Sequence, residues 1–116
     1  MKMNHITIQS NKYEESVKFY QEVVGLKITR VIKENNPYEI TFLGNGEGET
    51  EIEIIESNEA FEAGKGLSIG FAVEDAERFR EELIERGYAP TPMVKPNPFV
   101  KFFFLADPNG VMIQFI

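Results

Sequence analysis

The chain repeats itself once, and that repeat limits its fold more than any other feature. Gly25 matches Gly87 at an offset of 62, and Phe42-Leu43 matches Phe104-Leu105 at the same offset. Ile52-Glu53-Ile54 matches Ile113-Gln114-Phe115 at 61, and His5 in HITI matches Ser68 in SIGF at 63. Phe19 and Phe79 correspond at 60, which needs one small gap within a helix. Two copies of one supersecondary unit account for the whole length, and internal repeats outrank local propensity as evidence of fold.

Each copy reads as strand–helix–strand–strand–strand. In the first, Met3–Gln9 alternates, with Ile6 and Ile8 on one face and Met3, His5 and Thr7 on the other. Asn11 with Glu14 resembles a capping box; Tyr13, Val17, Tyr20 and Val24 follow helical spacing, and Gly25 is the stop. Strands are expected over Leu26–Lys33, Tyr38–Leu43 and Glu49–Glu56, with Asn35-Asn36-Pro37 as a turn. In Glu49–Glu56, Ile52 and Ile54 share one face, and Glu51, Glu53 and Ile55 the other.

Residues 57–66 are the expected connector, with room for a short helical turn. The second copy opens on Leu67–Val73, where Ser68 faces away from Leu67 and Ile69. Asp75 is a natural N-cap for a helix with Ala76, Phe79 and Leu83 as its apolar stripe and Gly87 as its stop. Tyr88–Val94 is a weak strand interrupted by Pro90 and Pro92, and Lys95-Pro96-Asn97-Pro98 is a constrained loop. Lys101–Ala106 and Val111–Ile116 are the last strands, joined by the turn Asp107-Pro108-Asn109-Gly110. Gln114 is a polar group in an otherwise apolar strand, with Met112 beside it on the same face. A buried amide needs partners.

At 116 residues the chain is expected to be a single domain, with module one at 1–56, the connector at 57–66 and module two at 67–116. The fold class is α+β: two tandem βαβββ modules forming curved, mostly antiparallel sheets around a concave pocket, with the helices outside. If the isoleucines of each unit face its helix, then His5, Glu53, Ser68 and Gln114 face the pocket, with Thr7 and Met112 beside them. Polar groups converging in an apolar concavity mark a binding site.

Composition narrows the function classes. The absence of cysteine excludes disulfides, redox CxxC chemistry and thiolate zinc sites. A net charge of −7, with seven glutamates between Glu47 and Glu62, argues against nucleic acid as a partner. The opening MKMNHITIQS lacks the apolar core of a signal peptide, and no run approaches a membrane span. A cytoplasmic protein without membrane partners is expected.

The early strand with His5, the segment Ser16–Ile28 (SVKFYQEVVGLKI) and the ending Phe104–Gly110 (FLADPNG) resemble the glyoxalase / bleomycin-resistance / dioxygenase group, the vicinal oxygen chelate superfamily. The resemblance covers essentially the whole chain. It implies a small-molecule ligand, a homodimer, and a divalent metal (zinc, nickel, manganese or iron) held in the concave sheet. The matching positions are His5, Glu53, Ser68 and Gln114. Ser68 stands where a His is common and Gln114 where a Glu is usual, so the implied metal set is His5 and Glu53 with Gln114 as a weak donor. Metal is then held weakly or not at all. The implied activity is that of a glyoxalase-type lyase or isomerase, similar to lactoylglutathione lyase, in which Glu53 is the only carboxylate left to act as base. The alternative is a non-catalytic protein that sequesters its ligand, as bleomycin-resistance proteins do.

Overall fold

The computed structural model describes residues 1–33, 37–62 and 65–116. The chain divides into two compact units, Met1–Glu62 and Ala63–Ile116. That boundary falls inside the stretch expected as connector. Among the described residues of the connector there is no helix, and Asn35 and Asn36 of the expected turn lie outside the described residues.

The first unit contains β1 (His5–Ser10), α1 (Tyr13–Glu22), β2 (Lys27–Ile32), β3 (Ile40–Gly44) and β4 (Glu51–Glu56). Its sheet runs β1-β4-β3-β2, with β1 parallel to β4 and the other pairs antiparallel. The second unit contains β5 (Ser68–Phe71), α2 (Ala76–Glu85), β6 (Val94–Asn97), β7 (Val100–Ala106) and β8 (Met112–Phe115). It repeats the arrangement as β5-β8-β7-β6, with β5 parallel to β8. The protein is therefore α+β, built of two βαβββ units. Strand registers match the sequence offsets: Phe42 pairs with Glu53 as Phe104 pairs with Gln114, and Leu43 with Ile52 as Leu105 with Ile113. Among the described residues no helix is long and apolar enough to cross a membrane.

Period-two alternation decides what each sheet buries. In the first unit Ile8, Leu43, Ile52 and Ile54 are buried, as are Phe19, Tyr20 and Val23. In the second, Ile69, Phe103, Leu105, Ile113 and Phe115 are buried with Leu83 of α2. Phe79 of α2 meets Phe115 edge-on, with centroids 5.0 Å apart, and Phe115 lies 5.3 Å from Phe103. The Phe102–Phe104 run thus divides. Phe103 enters the core, while Phe102 and Phe104 meet each other on the opposite face at 5.7 Å.

The helix starts differ from each other. Asp75 caps α2 as its sequence indicates, accepting the Arg78 N–H at 3.1 Å. The expected Asn11/Glu14 capping box does not form: Lys12 is the N-cap of α1 and has no side-chain cap bond. Two buried serines hold the entry instead. Ser10 Oγ accepts the Lys12 N–H at 2.9 Å, Ser16 Oγ donates to the Lys12 carbonyl at 2.7 Å, and the two hydroxyls lie 3.1 Å apart.

The expected weak strand at Tyr88–Val94 is also displaced. The strand is Val94–Asn97, inside the stretch read as a loop. Pro96 is tolerated there because β6 is the sheet's edge, where a missing N–H costs no ladder bond. Upstream, Thr91 only touches β7, through its N–H to the Phe104 carbonyl (2.8 Å) and its Oγ1, which takes the Phe104 N–H (2.8 Å). The final turn is tied by Asp107, whose Oδ1 accepts N–H bonds from Asn109 (2.8 Å) and Val111 (2.9 Å).

The helix ends do match. At α2 the Gly87 N–H reaches the Ile84 carbonyl (3.0 Å) and the Tyr88 N–H the Leu83 carbonyl (2.9 Å), a Schellman motif. It requires Gly87 at φ +92°, and Gly25 holds φ +82° after α1. A Cβ at either site would meet nothing within 4 Å. The cost of Gly25→Ala or Gly87→Ala is therefore conformational alone. Each is predicted to destabilise by about 1–2 kcal/mol in urea denaturation, with nearly additive effects in the double variant.

Glu77 of α2 reaches both strands of the β6–β7 hairpin, at 3.0 Å from Lys95 Nζ and 3.0 Å from Lys101 Nζ. The Lys95 and then the Lys101 hydrogen bonds hold its carboxyl below the ordinary 4.5. A lowered carboxyl stabilises fully above its ordinary value and loses that contribution as pH falls through the folded one. Glu77→Gln should flatten the pH dependence of stability below about pH 4.5 and change little at neutral pH in high salt. Urea midpoints across an acid pH series measure this.

Candidate functional site

The candidate residues lie on the sheet faces turned away from the helices. In the first unit the parallel register pairs Thr7 with Glu53, and the antiparallel registers continue through Phe42 to Arg30. Thr7, Glu53, Phe42 and Arg30 thus form one row across all four strands. The neighbouring row pairs His5 with Glu51. Same-face neighbours on adjacent strands are close enough to touch.

Glu53 is the centre of this row. Its side chain is only 12% exposed, and Thr7 Oγ1 donates a hydrogen bond to its Oε1. His5 Nε2 stands 3.6 Å from the same oxygen, on a side chain that is 42% exposed. The His5 ring also stands nearly perpendicular to Phe42, with centroids 5.7 Å apart. The arrangement is a carboxylate held by a hydroxyl, with an accessible imidazole beside it. It can accept a proton or bind a polar ligand group.

His5, Arg30, Phe42, Thr29 and Glu51 line a cavity of about 480 Å³. Arg30 and Thr29 were not among the residues that sequence reasoning singled out. A bulge between Ile28 and Arg30 explains the omission. It sets two β2 residues against one on β3, so simple alternation does not assign their faces. Thr29 Oγ1 donates to Glu51 Oε2 and contacts the Phe42 carbonyl at 3.3 Å.

In the second unit the corresponding face carries Ser68, Gly70, Met112 and Gln114. Ser68 pairs with Met112 and Gly70 with Gln114. Gly70 stands where the first unit has Thr7. A Cβ there would come within 3.1 Å of Gln114 Oε1, so glycine leaves room for the amide. The structure thus groups His5, Thr7 and Glu53 in one unit, and Ser68, Met112 and Gln114 in the other. Among the described residues no three His, Cys, Asp or Glu side chains form a group able to hold a metal ion. His5 and Glu53 alone fall short of the three or more protein ligands that zinc normally takes.

The two units, their registers and the sequence as a whole identify a class. The chain matches the family model of the Glyoxalase/Bleomycin resistance protein/Dioxygenase superfamily over residues 2–115, and it belongs to that superfamily. Among individual proteins, it is 31% identical over 121 residues to the uncharacterized protein YwbC of Bacillus subtilis (strain 168), covering 98% of this chain and 95% of the relative. It is 31% identical over 129 residues to lactoylglutathione lyase of Haemophilus influenzae (strain ATCC 51907 / DSM 11121 / KW20 / Rd), covering 100% and 92%. The trypanothione-dependent glyoxalase I of Leishmania major shares the fold, with a TM-score of 0.82 at 23% identity, over 100% of this chain and 86% of that one.

If Thr7 holds Glu53 in place, the two should be energetically coupled. Thr7→Val keeps the shape and removes the donor. It is predicted to cost about 1 kcal/mol in the wild type and much less in a Glu53→Gln background, as read from a double-mutant cycle in urea.

Proposed function

We propose that the protein is a glyoxalase-type lyase or isomerase acting on a small carbonyl compound, with Glu53 as its base. The observation that carries this reading is the Glu53 carboxylate itself, nearly buried, fixed by Thr7 and flanked by His5. A fixed carboxylate accepts a proton from the carbon beside a carbonyl and returns it to the neighbouring carbon, which moves the carbonyl without net oxidation. The His5 imidazole N–H supplies a donor for the oxygen on which charge develops. Similarity over the full chain to a lactoylglutathione lyase supports this reaction class. The reading includes a homodimer, for which the exposed Ile28 and Val31 on edge strand β2 offer apolar surface.

Metal enters this proposal only as a weak guest of His5 and Glu53. One carboxylate would neutralise a dication almost alone, and the residues of the first unit do not complete a coordination shell. The two-donor set also favours the second reading, a protein that sequesters its ligand without turning it over.

One assay separates these readings. The hemithioacetal of methylglyoxal and glutathione is supplied, and thioester formation is followed in the ultraviolet, with and without added nickel or zinc. Turnover is expected, and Glu53→Gln should lower kcat by about 10²–10⁴-fold. His5→Ala should abolish any stimulation by metal. Undiminished turnover in Glu53→Gln would refute the assignment of the base. Ligand binding without turnover in the wild type would establish sequestration instead.

A further inference from the structure

Arg30 is exposed on an edge strand, yet its guanidinium is not loose. Its carbon sits over the Phe42 ring, 4.2 Å from the centroid. Among the described residues it makes no ion pair. A guanidinium laid over a ring spends its face on the contact and keeps its N–H donors at its edge. The bulge between Ile28 and Arg30 sets this side chain opposite Phe42, and the cavity of about 480 Å³ is bordered by both Arg30 and His5. Phe42 links the two, because its ring carries Arg30 at 4.2 Å and packs nearly perpendicular to the His5 ring at 5.7 Å.

We propose that Arg30 is the carboxylate anchor of this site, and that the substrate class is a small carbonyl compound bearing a carboxylate, such as a 2-oxo acid. The proposal rests on the reading of Glu53 as base. A planar, fixed guanidinium matches a carboxylate through two parallel hydrogen bonds. In the row Glu53–Phe42–Arg30, Arg30 lies two strands from Glu53, or about 10 Å between backbones. Side chains on both sides shorten that span to the length of a small molecule. The cavity wall also carries Glu47, Glu49 and Glu51, which repel an anionic end, and Lys2, whose ammonium lacks the planar fork that Arg30 offers. A carboxylate held on Arg30 leaves the carbonyl end of such a ligand toward His5, which lines the same cavity and stands 3.6 Å from Glu53. Covering Phe42 needs only the apolar stem of a long side chain, so a structural role alone does not account for the charge.

The probe is phenylglyoxylate, which has no enolisable hydrogen and so reports binding without turnover. Its uncharged amide is the control. Binding is measured by calorimetry, and the Arg30 Nε–H resonance is followed by NMR. Arg30→Met keeps an apolar cover over Phe42 and removes the charge; Arg30→Lys keeps the charge and loses the fork. Wild type is expected to bind the acid about tenfold or more tightly than the amide, with a shift of the Arg30 resonance. Arg30→Met should erase that difference while leaving amide binding unchanged, and Arg30→Lys should restore only part of it. Equal binding of acid and amide by the wild type, or acid binding that survives Arg30→Met, overturns the anchor. Glu53→Gln keeps the two ideas apart: it should stop turnover yet leave phenylglyoxylate binding intact or stronger. Loss of the anchor with Glu53-dependent turnover preserved would refute only Arg30.

Discussion

The parallel pairing of the first and last strand in each unit is the constraint on which the site depends. It places Thr7 beside Glu53 and Gly70 beside Gln114. Side chains alternate with period two, so a slip of one residue would turn Glu53 into the core and Ile52 and Ile54 out of it. Ile52 and Ile54 are 3% and 0% exposed, which opposes such a slip strongly. The packing that stabilises the unit is therefore also what aims the carboxylate. A parallel pair needs a long crossover, and α1 with the β2–β3 hairpin supplies it.

Much of this was legible in the sequence because it follows from spacing. The offsets of 61–63 residues reappear as matched registers, and Gly25 and Gly87 take the left-handed conformation that helix stops require. The grouping of His5 with Glu53 on one face followed from the repeat and the alternation together, and the pair as a site from the family resemblance. What was not legible depends on tertiary context. Asn11 and Glu14 carry a cap signature, but the buried Ser10–Ser16 pair holds the helix entry instead. The prolines of 90–98 hide a strand that edge position makes tolerable. Arg30 was missed because a bulge changes the parity of β2, and no local signal in KITRVI marks it.

The two units have diverged chemically at equivalent positions. The first keeps a carboxylate and gives it a hydroxyl donor; the second has a neutral amide and, opposite it, a glycine that makes space. The first arrangement stabilises a charge, and the second accommodates a dipole. A duplicated fold thus presents one ionic and one neutral polar face at these positions, with the carboxylate confined to one copy.

The edge strands differ as well, with a bearing on how the protein behaves in concentrated solution. Strand β6 carries Lys95 and Pro96, a charge and a missing donor, which make it a poor template for an incoming strand. Strand β2, its counterpart, has no proline and leaves Ile28 and Val31 at 43% and 42% exposure. Unless that edge is covered, β2 is more open to strand addition than β6, and it lies in the unit that carries the carboxylate. Substitutions that cover this edge would fall on the strand that also lines the first unit's cavity through Thr29 and Arg30.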